Sequence, residues 1–228
     1  TICLNIYGMV LGLVFPCVFA LLLNEIQSTK FKRITQTVTF FPFFLSAVIV
    51  YAIVNSFLAV NTGILNNIMV SLGIIKTGIN FLADPKWAWP LILATNLWSG
   101  FGYSSVIYLA AISGIDQELY EAAEIDGAGR FGRMFYITLP GLMPTVTVLM
   151  ILNFGGLLGS DFGKMYIYTN EINKERMEVF ATYIYNQGLR KLNFSYATAS
   201  SLVLSVISFS LTMFANWFAK KTSGRAIY

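Results

Sequence analysis

A charged segment at residues 121–140 carries the most distinctive chemistry of this chain. It has the sequence EAAEIDGAGRFGRMFYITLP and lies between long uncharged runs. Glu121 needs a basic or hydrogen-bonding partner, the alanines at 122 and 123 let a helix lie close in a cleft, and Gly127 allows a turn that a side chain would block. The pattern predicts a docking site for another protein. The alternative is a solvated acidic helix whose carboxylates complement its own dipole.

The sequence offers little that an enzyme would need. It has no histidine, no nucleophile elbow and no GxxxxGK[ST] phosphate loop, and its apolar runs hold no cluster of cysteines or carboxylates. Cys3 and Cys17 lack metal-ligand spacing and are expected to pack as small apolar residues. The basic residues are scattered, so no nucleic-acid partner is expected. Because the centres of the apolar runs hold no ionisable residue, the energy for any transport is expected from another chain.

The elements that must position the docking segment are membrane helices. Hydrophobic residues make up 56% of the chain and charged residues 11%, and the mean hydropathy of +0.66 is well above that of soluble domains. Backbone polar groups in lipid must be satisfied within their own segment, so long uncharged runs predict helices. We predict an all-α polytopic membrane protein with five spans, at about residues 1–24, 34–56, 87–112, 141–160 and 194–219.

Polar segments separate the predicted spans. The chain enters an apolar run at once, without a basic leader, so a sixth span upstream is expected in the intact protein. Residues 113–140 are expected to form two short helices joined by a glycine elbow, and residues 161–191 form the longest charged loop. A short re-entrant or surface helix is expected within residues 57–86. Lys and Arg are divided almost evenly between the two sides, so charge alone does not orient the chain.

Three short patterns in the charged segment resemble one family of transport proteins. They are Glu-Ala-Ala at 121–123, Asp-Gly-Ala at 126–128 and Ile-x-Leu-Pro at 137–140. Together they are similar to the coupling loop of permease subunits in binding-protein-dependent ATP-binding-cassette (ABC) importers, which the ATPase subunit grips. The residues that the resemblance assigns to ATPase coupling are Glu121, Ala122, Ala123, Asp126, Gly127 and Arg130. Arg133 also lies there, although for both arginines an interaction with lipid phosphates is an equal alternative.

Further motifs resemble the carbohydrate-uptake, maltose-type branch of that family. The pattern Asn96-Leu-Trp-x-Gly100-x-x-Tyr103 lies in the span before the coupling loop, as in maltose-type permeases. The stretches 81–87 (FLADPKW) and 108–116 (YLAAISGID) look closest to the oligosaccharide and polysaccharide importers of the aldouronate type. The resemblance covers most of the chain from about residue 24.

The resemblance implies a function, a fold and a set of partners. The chain would be a single permease domain of the type I ABC importer fold in the bacterial cytoplasmic membrane, with 113–140 as the cytoplasmic coupling loop and 161–191 as an extracellular loop. It would not be an enzyme and would hold no cofactor, since two partner ATPase subunits would bind ATP and Mg. A second, homologous permease would complete the translocation path, and an extracellular solute-binding protein would deliver an oligosaccharide.

Candidate substrate contacts follow from the same resemblance. Asn96, Gly100 and Tyr103 are four and three residues apart, so they share one helical face, and an amide, a gap and a phenol suit a sugar. Helix packing with a satisfied amide is the equal alternative. Asn153 and Ser160 lie in the next predicted span, where family permeases also contact sugar, on a weaker alignment. Asp161 and Lys164 follow, where solvated loop charges are favoured over a role at a cavity mouth.

Other functions stay open at this point. The imported solute could be a peptide, an amino acid or a glycerol phosphate, although no dense cationic pocket for phosphate is visible in the spans. A channel or ATP-independent secondary transporter would leave residues 121–140 unexplained. An intramembrane enzyme is disfavoured because catalytic pairs are missing.

Overall fold

The structure, a computed structural model, describes residues 1–223 and is helical, with no strand in that range. The last five residues of the predicted permease domain, 224–228, lie outside the described residues. The α-helices are α1 (Ile2–Asn24), α2 (Thr29–Phe40), α3 (Ala47–Leu58), α4 (Ile64–Ser71), α5 (Pro85–Ser113), α6 (Gln117–Ile125), α7 (Arg130–Arg133), α8 (Leu139–Gly155), α9 (Phe162–Tyr168), α10 (Lys174–Met177), α11 (Phe180–Ile184) and α12 (Phe194–Ser223).

Three helices within residues 1–223 are long and apolar enough to cross a membrane. They are Ile2–Asn24, Arg130–Gly155 and Phe194–Lys221, and a fourth crossing is added if Thr29–Phe44 and Ala47–Leu58 are counted as one span. Only 11% of the apolar window of α12 is buried, so most of its apolar surface is available to lipid or to another protein. The predicted first and fifth spans agree with α1 and α12 within a few residues.

Helix α5 corresponds to the predicted third span. At 29 residues it is about 43 Å long, which exceeds a hydrocarbon core of about 30 Å. It is not among the three strongly apolar helices, because serines, glycines and Asn96 interrupt its apolar residues. The helix is therefore long enough to span, but its surface is partly polar.

The predicted second span, 34–56, for which a kink or wide turn near Pro42 was expected, consists of two helices that are bent by 106° at their junction. A 3₁₀ turn, Phe41–Phe44, follows α2, and α3 starts only at Ala47. Ser46 is extended (φ −65°, ψ 156°) and its hydroxyl accepts a hydrogen bond from the Ile49 N–H at 3.4 Å. This N-cap satisfies the first turn of a new helix, so the run is broken where composition alone predicts continuity.

The predicted fourth span is displaced towards the N-terminus. It was expected over 141–160, but α8 ends at Gly155, and at its other end it continues through a π-helical turn, Met134–Thr138, from α7. The second short helix of the predicted pair is thus joined to the span without a break. Ser160 consequently lies in the loop after α8.

Contacts between Cα atoms divide the chain into two units. The first contains residues 1–8, 44–99 and 156–208, and the boundary with the second falls within α5. Its core joins α1, α5 and the helices after residue 160, through Leu4, Ala88, Ile92, Met165, Tyr168, Met177 and Val179. The indole of Trp89 donates to the Arg176 carbonyl at 2.7 Å. Buried Asn173 donates to the Leu82 carbonyl at 3.1 Å, so residues 161–191 form a folded helical segment.

The second unit contains residues 9–43, 100–155 and the described residues from Phe209 onward. Its largest core cluster consists of Cys17, Ala20, Leu21, Tyr108, Ile112, Met134 and Leu142. The buried Tyr108 hydroxyl donates to the Leu13 carbonyl at 3.2 Å, which ties α5 to α1. Cys17 is buried in this cluster and Cys3 is exposed, and both are free thiols.

A tight helix crossing in the second unit gives a stability prediction. A Cβ at Gly102 would collide with the Thr39 carbonyl of α2, whereas a Cβ at Gly100 would meet nothing within 4 Å. Gly102→Ala is therefore expected to lower the thermal midpoint of the purified protein, because one of the two backbones must move, at a cost of about 1–3 kcal/mol. Gly100→Ala, in the same helix, is the matched control. Equal midpoints in detergent, followed by intrinsic fluorescence, would contradict the predicted crossing.

Candidate functional site

The docking segment folds as a helix, an elbow and a second helix. Asp116 caps α6, its carboxylate accepting the Glu118 N–H at 3.0 Å. Helix α6 ends at Ile125 with Asp126 as its C-cap, and Gly127 takes φ +79°, the left-handed region that side chains disfavour. The Gly127 and Ala128 amides donate back to the Glu124 and Ala123 carbonyls, which closes the helix end.

Two side-chain links cross the elbow and hold α6 against the helix that follows. The Arg133 guanidinium donates to the Glu124 carboxylate at 2.8 Å. The Tyr120 and Thr138 hydroxyls share a hydrogen bond of 3.0 Å, and Thr138 is 1% exposed. The exposed ion pair alone contributes little, but together with the partly buried hydroxyl pair it joins the two helices at two points. The sequence analysis placed Arg133 against a partner or lipid and missed this internal role.

A polar groove lies beside α6. Its volume is about 470 Å³. Its lining includes Asn24, Glu25, Gln117, Tyr120, Glu121, Glu124 and Arg133. Three carboxylates against one guanidinium give the groove a net negative charge, which favours a basic group from a partner.

The tip of the elbow exposes apolar side chains that the sequence analysis did not single out. Ile125 is 87% exposed and Phe131 is 74% exposed. Glu121, Ala122, Asp126, Gly127 and Arg130 are also exposed, and Ala123 is half-buried. Large apolar groups beside charged ones are typical of a surface that another protein covers. Their signal in the sequence was weak, because single apolar residues between charges are also common in solvated helices.

The predicted substrate residues of α5 have different surroundings. Asn96 is exposed, and space is open around Gly100. Tyr103 is 44% exposed, but one face of its ring stacks on Phe43 with centroids 4.2 Å apart and planes within 6°. Phe43 therefore makes this face of the Tyr103 ring unavailable to a sugar ring, and Phe40 also lies nearby, with ring centroids 5.9 Å apart.

The side chains of Asn153 and Ser160 each lie within hydrogen-bonding distance of another group of this chain. The Asn153 amide donates to the Leu149 carbonyl, one turn earlier in α8, at 2.7 Å. Ser160 lies 3.4 Å from the Asn5 amide, which also donates to the Leu157 and Gly159 carbonyls. Ser160 also lines a cavity of about 660 Å³ in the first unit, together with Phe162, Tyr185, Ser201 and Ser205. Asn153, in the second unit, is not part of that cavity.

Comparison with known proteins identifies the family to which this sequence is similar. The sequence profile described as binding-protein-dependent transport system inner membrane component matches residues 8–224. Protein LplB of Bacillus subtilis (strain 168) is 40% identical over 215 residues, 93% of this chain and 66% of LplB. The polygalacturonan/rhamnogalacturonan transport system permease protein YteP of the same organism is 41% identical over 213 residues, again 93% and 66%. The chain spans about two thirds of the length of these relatives.

A solved structure has the same fold. The crystal structure of a bacterial alginate ABC transporter, in complex with an alginate pentasaccharide-bound periplasmic protein, superposes with a TM-score of 0.91 at 33% identity, covering 99% of this chain and 79% of that chain. The predicted all-helical importer-permease fold is confirmed, and the apolar helices place the chain in the membrane. With a profile match over nearly its whole length, this chain belongs to the family of binding-protein-dependent transport system inner membrane components.

Proposed function

We propose that this chain is the membrane permease subunit of an ATP-driven importer that takes up oligosaccharides. With a second, homologous permease it forms the translocation path, two cytoplasmic ATPase subunits that bind ATP and Mg dock on residues 113–140, and an extracellular binding protein delivers the sugar to the other side. The observation that carries the proposal is the exposed helical elbow at Gly127, continuous with a membrane helix. One relative is named for polygalacturonan and rhamnogalacturonan, and the similar solved structure transports alginate.

The elbow is suited to transmit force. An ATPase that closes on ATP moves α6, and the links from Glu124 to Arg133 and from Tyr120 to Thr138 carry the displacement into the helix Arg130–Gly155. Since this helix is continuous from Arg130 to Gly155, no loop interrupts the path of the displacement into the membrane. In this proposal the partner ATPase supplies the energy, and the helix Arg130–Gly155 carries the movement into the membrane.

The apolar tip gives the first test of docking. Ile125→Asp is expected to reduce co-purification of the ATPase at least tenfold, because a charge replaces a contact that docking desolvates. Ile172→Asp is the matched control, since Ile172 is also exposed (65%) but lies in the segment 161–191, assigned to the opposite side. If both variants retain the ATPase equally, the docking surface is misplaced. If Ile172→Asp alone loses it, the assigned orientation is reversed.

The backbone of the elbow gives a second test. A Cβ at Gly127 or Gly129 meets nothing within 4 Å, but only Gly127 has positive φ, whereas Gly129 is extended (φ −69°, ψ 174°). Gly127→Val is expected to reduce ATP-driven uptake strongly, because a β-branched residue strains this conformation by about 1–2 kcal/mol or more. Gly129→Val should change uptake little. Membrane insertion, checked by yield and gel filtration, should stay normal in both, and equal uptake by the two variants would count against the elbow.

The role of Tyr103 is separable from its packing. Tyr103→Phe keeps the ring stacked on Phe43 and removes only the hydroxyl. It is expected to lower stimulation of the ATPase by sugar-loaded binding protein several-fold, since one good hydrogen bond contributes about 1 kcal/mol. Phe43→Ala removes the stacking partner of Tyr103 and keeps its hydroxyl. Comparing the two variants separates the effect of the hydroxyl from the effect of the ring stacking. A Tyr103→Phe variant with wild-type stimulation would remove Tyr103 from the sugar path.

A further inference from the structure

A lysine from outside the long helices reaches the middle of α5. Lys164 lies in α9, is half-buried, and its Nζ donates a hydrogen bond to the Ser99 hydroxyl at 3.2 Å. Ser99 itself is only 6% exposed. Both residues belong to the first unit. The sequence analysis regarded Lys164 as a solvated loop charge, and the structure contradicts that expectation.

The position of Ser99 sets the depth of the Lys164 amino group. Helix α5 runs from Pro85 to Ser113, so Ser99 is its middle residue, 14 residues from either end. At a rise of 1.5 Å per residue the amino group lies about 21 Å from each end of a helix longer than the hydrocarbon core. The uncharged runs themselves hold no Asp, Glu, Lys or Arg, but the side chain of Lys164 reaches the middle of α5 from the segment that follows α8.

The lysine has no carboxylate partner among the residues described. The ion pair found in residues 1–221 is Glu124 with Arg133, and no carboxylate oxygen approaches the Lys164 Nζ within 4.0 Å. The neighbouring Asp161 carboxylate accepts the backbone N–H of Lys164 instead, at 3.1 Å. A charge at membrane depth is costly unless it faces water or an anion. One neutral hydroxyl holds the ammonium in place and leaves two of its three donors for a ligand.

We propose that Lys164, positioned by Ser99, binds the carboxylate of an acidic oligosaccharide in the translocation path, so that the importer prefers uronic-acid sugars to neutral ones. The inference rests on the proposed function and names its substrate class. The exposed amide of Asn96 lies three residues before Ser99 on the same helix, where it can hydrogen-bond sugar hydroxyls while the ammonium holds the carboxylate. An ammonium is a compact point charge, which suits a flexible, hydrated carboxylate passing along a path.

The test uses the complete importer in vesicles: full-length permease, second permease, ATPases and binding protein. ATP-driven uptake is measured with tri-galacturonate and with the same trimer after reduction of its carboxyl groups, each at a concentration that saturates the binding protein. Lys164→Gln is expected to lower uptake of the acidic trimer about tenfold or more relative to the neutral one, as for loss of a charge-assisted hydrogen bond. Ser99→Ala should give a smaller loss, and Lys164→Arg should retain the preference.

Lys174→Gln is the matched control, because this substitution removes the same charge from an exposed lysine at the start of α10. It should leave both uptakes unchanged. An unchanged ratio in Lys164→Gln, an equal loss for both sugars, or a wild-type importer that takes up only the neutral trimer would overturn the inference. Loss of the second permease on purification would also overturn it, since Lys164 would then pair with a carboxylate of that subunit. A wild-type importer without ATP-driven uptake of either sugar would contradict the proposed function itself.

Discussion

The positive φ of Gly127 is the constraint on which the functional reading of this chain depends. A glycine there lets α6 end at Ile125 and a new helix begin at Arg130, without the steric cost that a side chain would meet at positive φ. The ion pair of Glu124 with Arg133 and the hydroxyl pair of Tyr120 with Thr138 then set the angle between the two helices. The elbow thus presents the apolar side chains of Ile125 and Phe131 on its surface, which is the basis for proposing that a partner docks there.

Rigidity at the elbow has a consequence for the membrane helix that follows it. The π turn at Met134–Thr138 keeps helical hydrogen bonding between α7 and α8, so no loop separates the exposed tip from the membrane interior. Pro144 lies inside α8, and Pro140 is its second residue, so within the continuous helix Arg130–Gly155 each proline removes one amide donor from the helical hydrogen bonds. On the proposed function, this continuity lets a displacement of the elbow pass into the membrane helix without an intervening loop.

Much of this fold can be predicted from the sequence, because a segment that crosses lipid must satisfy its own backbone hydrogen bonds and is therefore helical. The apolar runs at α1 and α12 predicted their helices within a few residues, and the glycine between Glu121 and Arg130 predicted the elbow. The break at Ser46 was missed, because a serine within an apolar run is equally compatible with helix interior and N-cap until the fold selects one. Likewise, the stacking of Tyr103 on Phe43 depends on residues sixty positions apart, which no local pattern encodes.

Lys164 shows why charge counting along the chain underestimates what a membrane protein can place at depth. Counting charged residues within each apolar run considers only the residues of that run. Helix α9 lies outside the strongly apolar spans, and the side chain of its Lys164 contacts Ser99 of α5. Ser99 provides a single hydroxyl as hydrogen-bond acceptor for the Lys164 ammonium. Because the surface of α5 is partly polar, we expect a charge to cost less free energy beside α5 than beside α1 or α12. On the proposal above, Lys164 binds the substrate and is not coupled to an ion gradient, which is consistent with an energy source outside this chain. The proposed energy input at the elbow and the proposed selectivity at Lys164 therefore depend on different residues and can be tested separately.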